Sequence, residues 1–353
     1  MLQRVDYKTN LMVGDQTYPA FELRNILDFI ASHLGDKALE QVCAHIGIGR
    51  AELTHCQFVY VWQVEYAMEF LRLQGGDPDI GTKLGLSYRV NSLDVLLPHL
   101  AELTSLQACL QFVINHPSLV GSFTDSLIRL EDESVCIRWL NTGRIDKEQY
   151  GFQFLHSIGS LLGLARELTG AEIRLTQINL AEPVRDGSFL SVATGAKVQF
   201  NCEYYEWSIS LNYLALDINY PFPEGTEITS LVSTTSLIET VLKAIRAQFP
   251  DVPHLDEMAA QLHMSDRSFR RRLAQLGSSY QRLVDQVRCQ RAVELILANE
   301  LDIEAIAESL GYSDVSHFRQ SFKHWIGHPP GYFSRLNSGQ RGDANKDKLT
   351  ITS

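Results

Sequence analysis

The strongest constraint on this chain is a duplication near its C-terminal end. Leu255, Met258, Ala259 and Leu262 fall at i, i+3, i+4 and i+7, one apolar stripe along a short helix. The stripe returns 48 residues later as Ile303, Ile306, Ala307 and Leu310. Each runs into a tight turn, then a serine followed by an aspartate: Ser265-Asp266 in the first copy and Ser313-Asp314 in the second. A serine N-cap backed by an acid answers the unpaired amides and positive end of a new helix. The core face of that helix is Phe269, Leu273 and Leu276, then Phe318, Phe322 and Trp325 at an offset of 49. The region therefore folds as two copies of helix–turn–helix, and only the exposed faces can say what they are for.

Those faces are unusual. Arg267, Arg270, Arg271 and Arg272 crowd the first copy with no acid among them, whereas a merely solvated helix mixes Glu with Lys at i,i+4. With Phe269 in the core, Arg267 and Arg271 lie opposite it and Arg270 beside them. Arg272 borders the core and suits a structural ion pair as well as an outward contact. In the second copy Ser316, Arg319, Gln320 and Lys323 form one polar stripe. Such donors and acceptors suit base edges in a major groove. The expected DNA-facing set is Ser265, Arg267, Ser268, Arg270 and Arg271 in the first copy, and Ser313, Ser316, His317, Arg319, Gln320 and Lys323 in the second. Between the copies, Ser279–Ala298 reads as one helix of about 30 Å at 1.5 Å per residue. Successive major grooves on one DNA face lie about 34 Å apart, so one chain can hold two reading helices in adjacent grooves.

The net charge of −11 seems to oppose nucleic acid until it is divided. Residues 1–235 carry 16 Lys and Arg against 28 Asp and Glu, whereas residues 236–335 carry 12 of each. A phosphate-binding surface needs only local positive charge. With 353 residues the chain has room for two domains. No apolar run is long enough to span a bilayer, and the N-terminus lacks an export pattern, so a cytoplasmic protein with no membrane partner is expected. Six scattered cysteines without a C-x-x-C pair give no metal or redox signature.

Upstream of the duplication the pattern is mixed. Tyr18–His33, Gln63–Leu73 and Phe152–Leu168 have helical periodicity, Leu127–Leu130 and Val135–Leu140 flank a polar turn as a hairpin would, and Glu172–Leu180 and Ser208–Asn212 alternate like strands. The expected architecture is an α+β N-terminal domain (1–218), a Pro/Gly-containing linker (219–235), an all-α domain with two helix-turn-helix motifs joined by a linker helix (236–335), and a loose polar tail (336–353).

The duplicated region resembles the DNA-binding domain of the AraC/XylS family of bacterial transcription regulators. The residues that carry the likeness are Leu255…Ala259…Leu262-x-x-Ser265-x-Arg267-x-Phe269 and Arg288-x-x-x-Ala292-x-x-Leu295. They continue as Ile303-x-x-Ile306-Ala307-x-x-Leu310-Gly311-Tyr312-x-Asp314-x-Ser316-x-Phe318, then Phe322-Lys323-x-x-x-Gly327-x-x-Pro330. The family's base-facing positions fall on Arg267, Arg270, Arg271, Ser316, His317, Arg319 and Gln320. Where the family often has arginine, this chain has Gln320, with Arg319 one position earlier; the first helix is then expected to carry more of the specificity. Residues 1–218 resemble the family's arabinose-binding-like, non-cupin sensor domain through Gly76-Asp77-Pro78-x-Ile80-Gly81-x-x-Leu84-Gly85 and Leu103-Thr104-Ser105-Leu106. The resemblance implies a transcription activator with a double-stranded operator, a small-molecule effector, contact with RNA polymerase and a possible homodimer, without cofactor or metal.

Within the first domain, Trp62, Tyr66 and Phe70 recur along one helix, where they suit an ordinary core or an effector pocket. Gly159-Ser160-x-x-Gly163 mimics a nucleophile turn but lies in an apolar helical stretch where small residues serve packing. Two other readings stay open: an enzyme fused to a helical module, which would need an activated cysteine and a zinc site, and a ligand-binding protein whose helical part docks protein.

Overall fold

The computed structural model describes residues 5–8, 17–116, 125–140, 147–223, 237–276 and 278–337. Strands β1 (Val5–Lys8), β2 (Thr17–Pro19), β3 (Phe58–Tyr60), β4 (Asp125–Leu130), β5 (Ser134–Leu140), β6 (Leu175–Asn179), β7 (Lys197–Gln199) and β8 (Tyr205–Ser210) build the N-terminal region with its helices. Six of them make one sheet in the order β1-β4-β5-β8-β6-β7, antiparallel except for β6 and β7. β2 and β3 pair separately.

The β4–β5 hairpin forms where the polar turn placed it, with Leu130 opposite Val135. The ends of β6 and β8 differ from the alternating segments, and two of them have a local cause. β6 starts at Leu175; just before it, the Ile173 carbonyl accepts from the Arg166 guanidinium at 2.8 Å rather than from a neighbouring strand. β8 ends at Ser210, whose hydroxyl accepts from Asn212 N (3.3 Å) and turns the chain into a 3-10 segment.

On the inner face of the sheet Ile128, Val135, Ile137, Trp139, Trp207 and Ile209 pack against helices Leu106–Asn115 and Lys147–Thr169. A second apolar cluster joins helices Ala20–Leu34, Asp36–Ile46 and Val61–Gly75. Between these layers, helix Ile80–Leu86 crosses Lys147–Thr169 nearly backbone to backbone. A Cβ on Gly85 would come within 3.0 Å of His156 O and Ser160 N, and one on Gly159 equally close to Thr82 O. The Gly81/Gly85 and Gly159/Gly163 pairs are thus contact surfaces, which accounts for both glycine motifs.

Beyond residue 236 the described residues form helices only: Leu237–Gln248, Leu255–Gln261, Asp266–Gln275, Tyr280–Ala298, Ile303–Ser309, Val315–Ile326 and Pro330–Asn337. They enclose two cores rather than one. Ile238, Met258, Phe269 and Leu273 belong to the first, Ile306, Phe318, Phe322 and Phe333 to the second. Helix Tyr280–Ala298 serves both, giving Leu283, Val284 and Val287 to the first and Ala292, Val293 and Ile296 to the second.

The second core also reaches into the N-terminal region. Leu127 of β4 and Leu140 of β5, on the outer face of the sheet, are buried in it. Beside them Gln290 Nε2 lies 3.4 Å from both carboxylate oxygens of Asp125, while its Oε1 accepts from Arg246 (2.8 Å). On the same face Arg138 pairs with Glu206 at 2.8 Å and stacks over Tyr204 and Tyr332. The sheet and the helical region therefore share a seam.

Candidate nucleic-acid interface

Each duplicated motif is built from the same parts. The first helix ends at Leu262 or Leu310, and the next residue, His263 (φ 55) or Gly311 (φ 81), takes the left-handed conformation that reverses the chain. In the first copy Ser265 caps the second helix, its hydroxyl accepting from Ser268 N at 3.3 Å. In the second copy the cap is not Ser313 but Asp314, whose carboxylate accepts from Ser316 N at 2.9 Å. The correction has a simple cause: the first helices repeat at 48, but the caps and core phenylalanines repeat at 49, so the second turn is one residue longer. Ser313 lies in that turn.

Phe269 and Phe318 are fully buried at equivalent positions and fix which side of each helix faces out. Arg267, Arg270, Arg271 and Arg272 are all exposed, and none of them has an ion-pair partner among the described residues. That decides the ambiguity over Arg272 against a structural salt bridge. Ser265 is exposed and Ser268 half-buried behind it. Ser313, Ser316, His317, Arg319, Gln320 and Lys323 are likewise exposed. Arg319 lies 3.8 Å from Glu304, with both side chains more than half exposed, a weak surface pair that can be given up for a stronger partner. His317 stands edge-on to Tyr312 with ring centroids 5.4 Å apart, which limits its ring orientations.

The two motifs are held by helix Tyr280–Ala298, capped by Ser279 (accepting from Arg282 N at 3.3 Å) and closed by left-handed Asn299. Its 19 residues span about 28 Å, and it is buried in a different core at each end, so the spacing of the two motifs is fixed by packing.

Trp62, Tyr66 and Phe70 lie along helix Val61–Gly75. Trp62 is 40% exposed, and Tyr66 and Phe70 are half-buried against the second apolar cluster, Tyr66 stacking on His45 at 3.8 Å. The N-terminal region does contain an apolar cavity, but none of the three lines it. Sequence reasoning missed the buried polar residues beside that cavity, Glu22 and Tyr88, and the seam residues Asp125 and Gln290. Only Glu22 left a trace, as an acid inside the apolar run Tyr18–Leu27. Burial pushes the Cys109 thiol up to about 11 and that of Cys136 up to about 12, and it raises those of Cys43 and Cys202 as well, away from the thiolate. No helix among the described residues is long and apolar enough to cross a membrane.

Residues 38–218 match the family profile described as the arabinose-binding domain of AraC transcription regulator, N-terminal, and residues 258–335 match a helix-turn-helix domain profile. The ornithine utilization regulator of Pseudomonas aeruginosa is 25% identical over 265 residues, 72% of this chain and 78% of that one. The transcriptional regulator VqsM of the same organism is 39% identical over 90 residues, about a quarter of either chain (26% and 27%). The crystal structure of CdpR from Pseudomonas aeruginosa aligns with 89% of this chain and 98% of its own at 21% identity and a TM-score of 0.43. The chain belongs to the AraC family of transcription regulators, as a sequence-specific DNA-binding protein with an arabinose-binding-type N-terminal domain and two helix-turn-helix motifs on one linker helix.

Proposed function

We propose that the two capped helices Asp266–Gln275 and Val315–Ile326 enter adjacent major grooves. Arg267, Arg270 and Arg271 contact base edges in one groove, and Ser316, His317, Arg319 and Gln320 in the other. Ser265, Ser268 and Ser313 at the helix starts and Lys323 hold phosphates. The observation that carries this reading is the guanidinium cluster Arg267–Arg272, without an ion-pair partner among the described residues and exposed on a helix whose opposite face is pinned by Phe269. In this reading the protein works in the cytoplasm as an activator that touches RNA polymerase, has no catalytic role, and is controlled by a small effector in the N-terminal domain. Support for effector control comes from the sheet itself: its inner face borders an apolar cavity through Trp207 and Ile209, and its outer face packs on the linker helix through Leu127 and Leu140.

The test is selection of bound duplexes from a random pool by the full-length protein. The expected product is a bipartite site, with two short blocks about one helical turn (about 10 base pairs) apart. Enrichment of a single block, or of none, refutes the two-groove reading.

A further inference from the structure

The cavity in the N-terminal region encloses about 130 Å³. It lies between helices Ala20–Leu34, Leu106–Asn115 and Lys147–Thr169 and the inner face of the sheet, and its walls are aliphatic and aromatic, Leu96, Leu110, Val113, Leu161 and Trp207 among them. No arginine, lysine or histidine is among the described residues that line it. The polar side chains on its wall are few: the Glu22 carboxyl, the Tyr88 hydroxyl, the Ser160 hydroxyl, the Trp207 indole and the weakly polar Cys109 thiol.

These groups differ in what they have left to offer. Ser160 donates to Ser157 O (3.1 Å), and Tyr88 donates to Glu22 Oε1 (2.9 Å). Trp207, 6% exposed, has an indole Nε1 that donates to no acceptor among the described residues. Behind Glu22, and itself buried, His156 Nε2 stands 3.4 Å from Oε1 without hydrogen-bond alignment. Burial raises the Glu22 pKa to about 8, with the Tyr88 hydrogen bond opposing it, and burial lowers that of His156 to about 3. Near neutral pH the polar corner is therefore an uncharged acid beside an uncharged imidazole, with spare donors and no charge to meet an ion.

We propose that this cavity is the effector site, and that it takes a compact, uncharged, apolar molecule bearing one hydrogen-bond acceptor, seated against Glu22 and Trp207. The inference rests on the reading of this domain as an effector sensor and adds the chemical class. A sugar fails the chemistry, because burying a ring of hydroxyls against leucines strands their hydrogen bonds. A carboxylate has no cation to meet, and a free amino acid would bury two charges with no positive partner for one of them. Size agrees: a dry cavity of about 150 Å³ accommodates benzene, so the ligand body has roughly six to ten non-hydrogen atoms.

The experiment uses the full-length protein with cyclohexanone, benzyl alcohol, benzylamine, benzoate and L-arabinose, read by thermal shift and by titration calorimetry. Cyclohexanone and benzyl alcohol are expected to bind, with benzoate and arabinose weaker by more than about tenfold. Glu22→Gln, which keeps a donor and an acceptor but cannot ionise, is expected to retain the neutral probes within a few-fold. Val113→Phe and Leu161→Phe, each filling the cavity from a half-buried wall position, are expected to abolish binding while the far-ultraviolet circular dichroism of the protein is kept. Should either variant misfold, the other decides, and should both, the wild-type and Glu22→Gln panels decide. Binding of benzoate or arabinose with the neutral probes silent overturns the proposal. So does benzylamine binding that Glu22→Gln destroys, or neutral-probe binding that survives both cavity-filling variants. If the neutral probes bind but leave DNA affinity unchanged in an anisotropy titration, the site stands and the effector role falls.

Discussion

Leu127→Ala tests whether the sheet and the second reading motif share one core. Leu127 lies on β4, far in sequence from the DNA-binding helices, yet it is fully buried among Ala292, Val293, Ile296, Phe318 and Phe322. Truncation removes three carbons; at about 0.8 kcal/mol each the transfer loss is about 2.4 kcal/mol, and the residual cavity raises it to about 3–4 kcal/mol. If that loss is felt by the motif it packs against, local opening of Ile303–Ser309 and Val315–Ile326 becomes easier by about 3 kcal/mol, an acceleration of amide exchange of about 100-fold. Asp266–Gln275, in the other core, should keep its protection. Leu273→Ala is the mirror control, since Leu273 is buried in the first core alone and should loosen that motif first. Hydrogen exchange read by mass spectrometry on full-length protein separates the cases. Loss of protection confined to the sheet, or an equal loss in both motifs, would refute the shared seam.

Arg271→Ala should cost about 1–3 kcal/mol of specific DNA binding and relax preference at one base position, read by footprinting and affinity on the selected site. Lys323→Ala should weaken all sequences about equally and lower the slope of log affinity against log salt by about 1. Gly85→Ala should destabilise by about 1–3 kcal/mol in denaturant melts, because the methyl meets the His156 and Ser160 backbone rather than a movable side chain. Stability should also depend on pH in a defined sense. Glu22, with its pKa raised to about 8, binds a proton in the folded state that the unfolded chain has released, so its contribution is lost as pH rises toward 8. His156, lowered from 6.5 to about 3, acts in the opposite sense, but only below 6.5. Between pH 6.5 and 8 the Glu22 effect is unopposed by His156, about 2 kcal/mol of falling stability that Glu22→Gln should remove.

The helical half was readable because its signals are local. A stripe at 3.6-residue spacing, a turn and a cap all fall within about ten residues, and duplication printed the pattern twice. The one-residue error at the second cap arose because Ser313 and Asp314 both suit that role, and only the Phe318 register separates them. The β4–β5 hairpin was legible for the same reason, whereas at the start of β6 and the end of β8 side-chain hydrogen bonds, Arg166 to the Ile173 carbonyl and Asn212 N to the Ser210 hydroxyl, replace the ladder, and alternation does not register them. The cavity was not legible, because its wall draws Glu22, Tyr88, Val113, Leu161 and Trp207 from separate elements. The seam was hidden similarly, since Asp125 and Gln290 are 165 residues apart.

Two unlike capped helices on one rod leave the pair of motifs in a single chain without a two-fold axis. A pair of identical motifs reads a palindrome and fits it in either orientation. Here an arginine cluster stands at one end and a serine, histidine, arginine and glutamine face at the other, so under the proposed contacts flipping the DNA end for end would offer each helix the wrong bases. Under that reading each bound copy of the chain points like an arrow along the chromosome. Because the sheet is clamped to the second motif, the arrow also sets which flank of the site carries the N-terminal domain, and inverting a site within a promoter moves that domain to the other side.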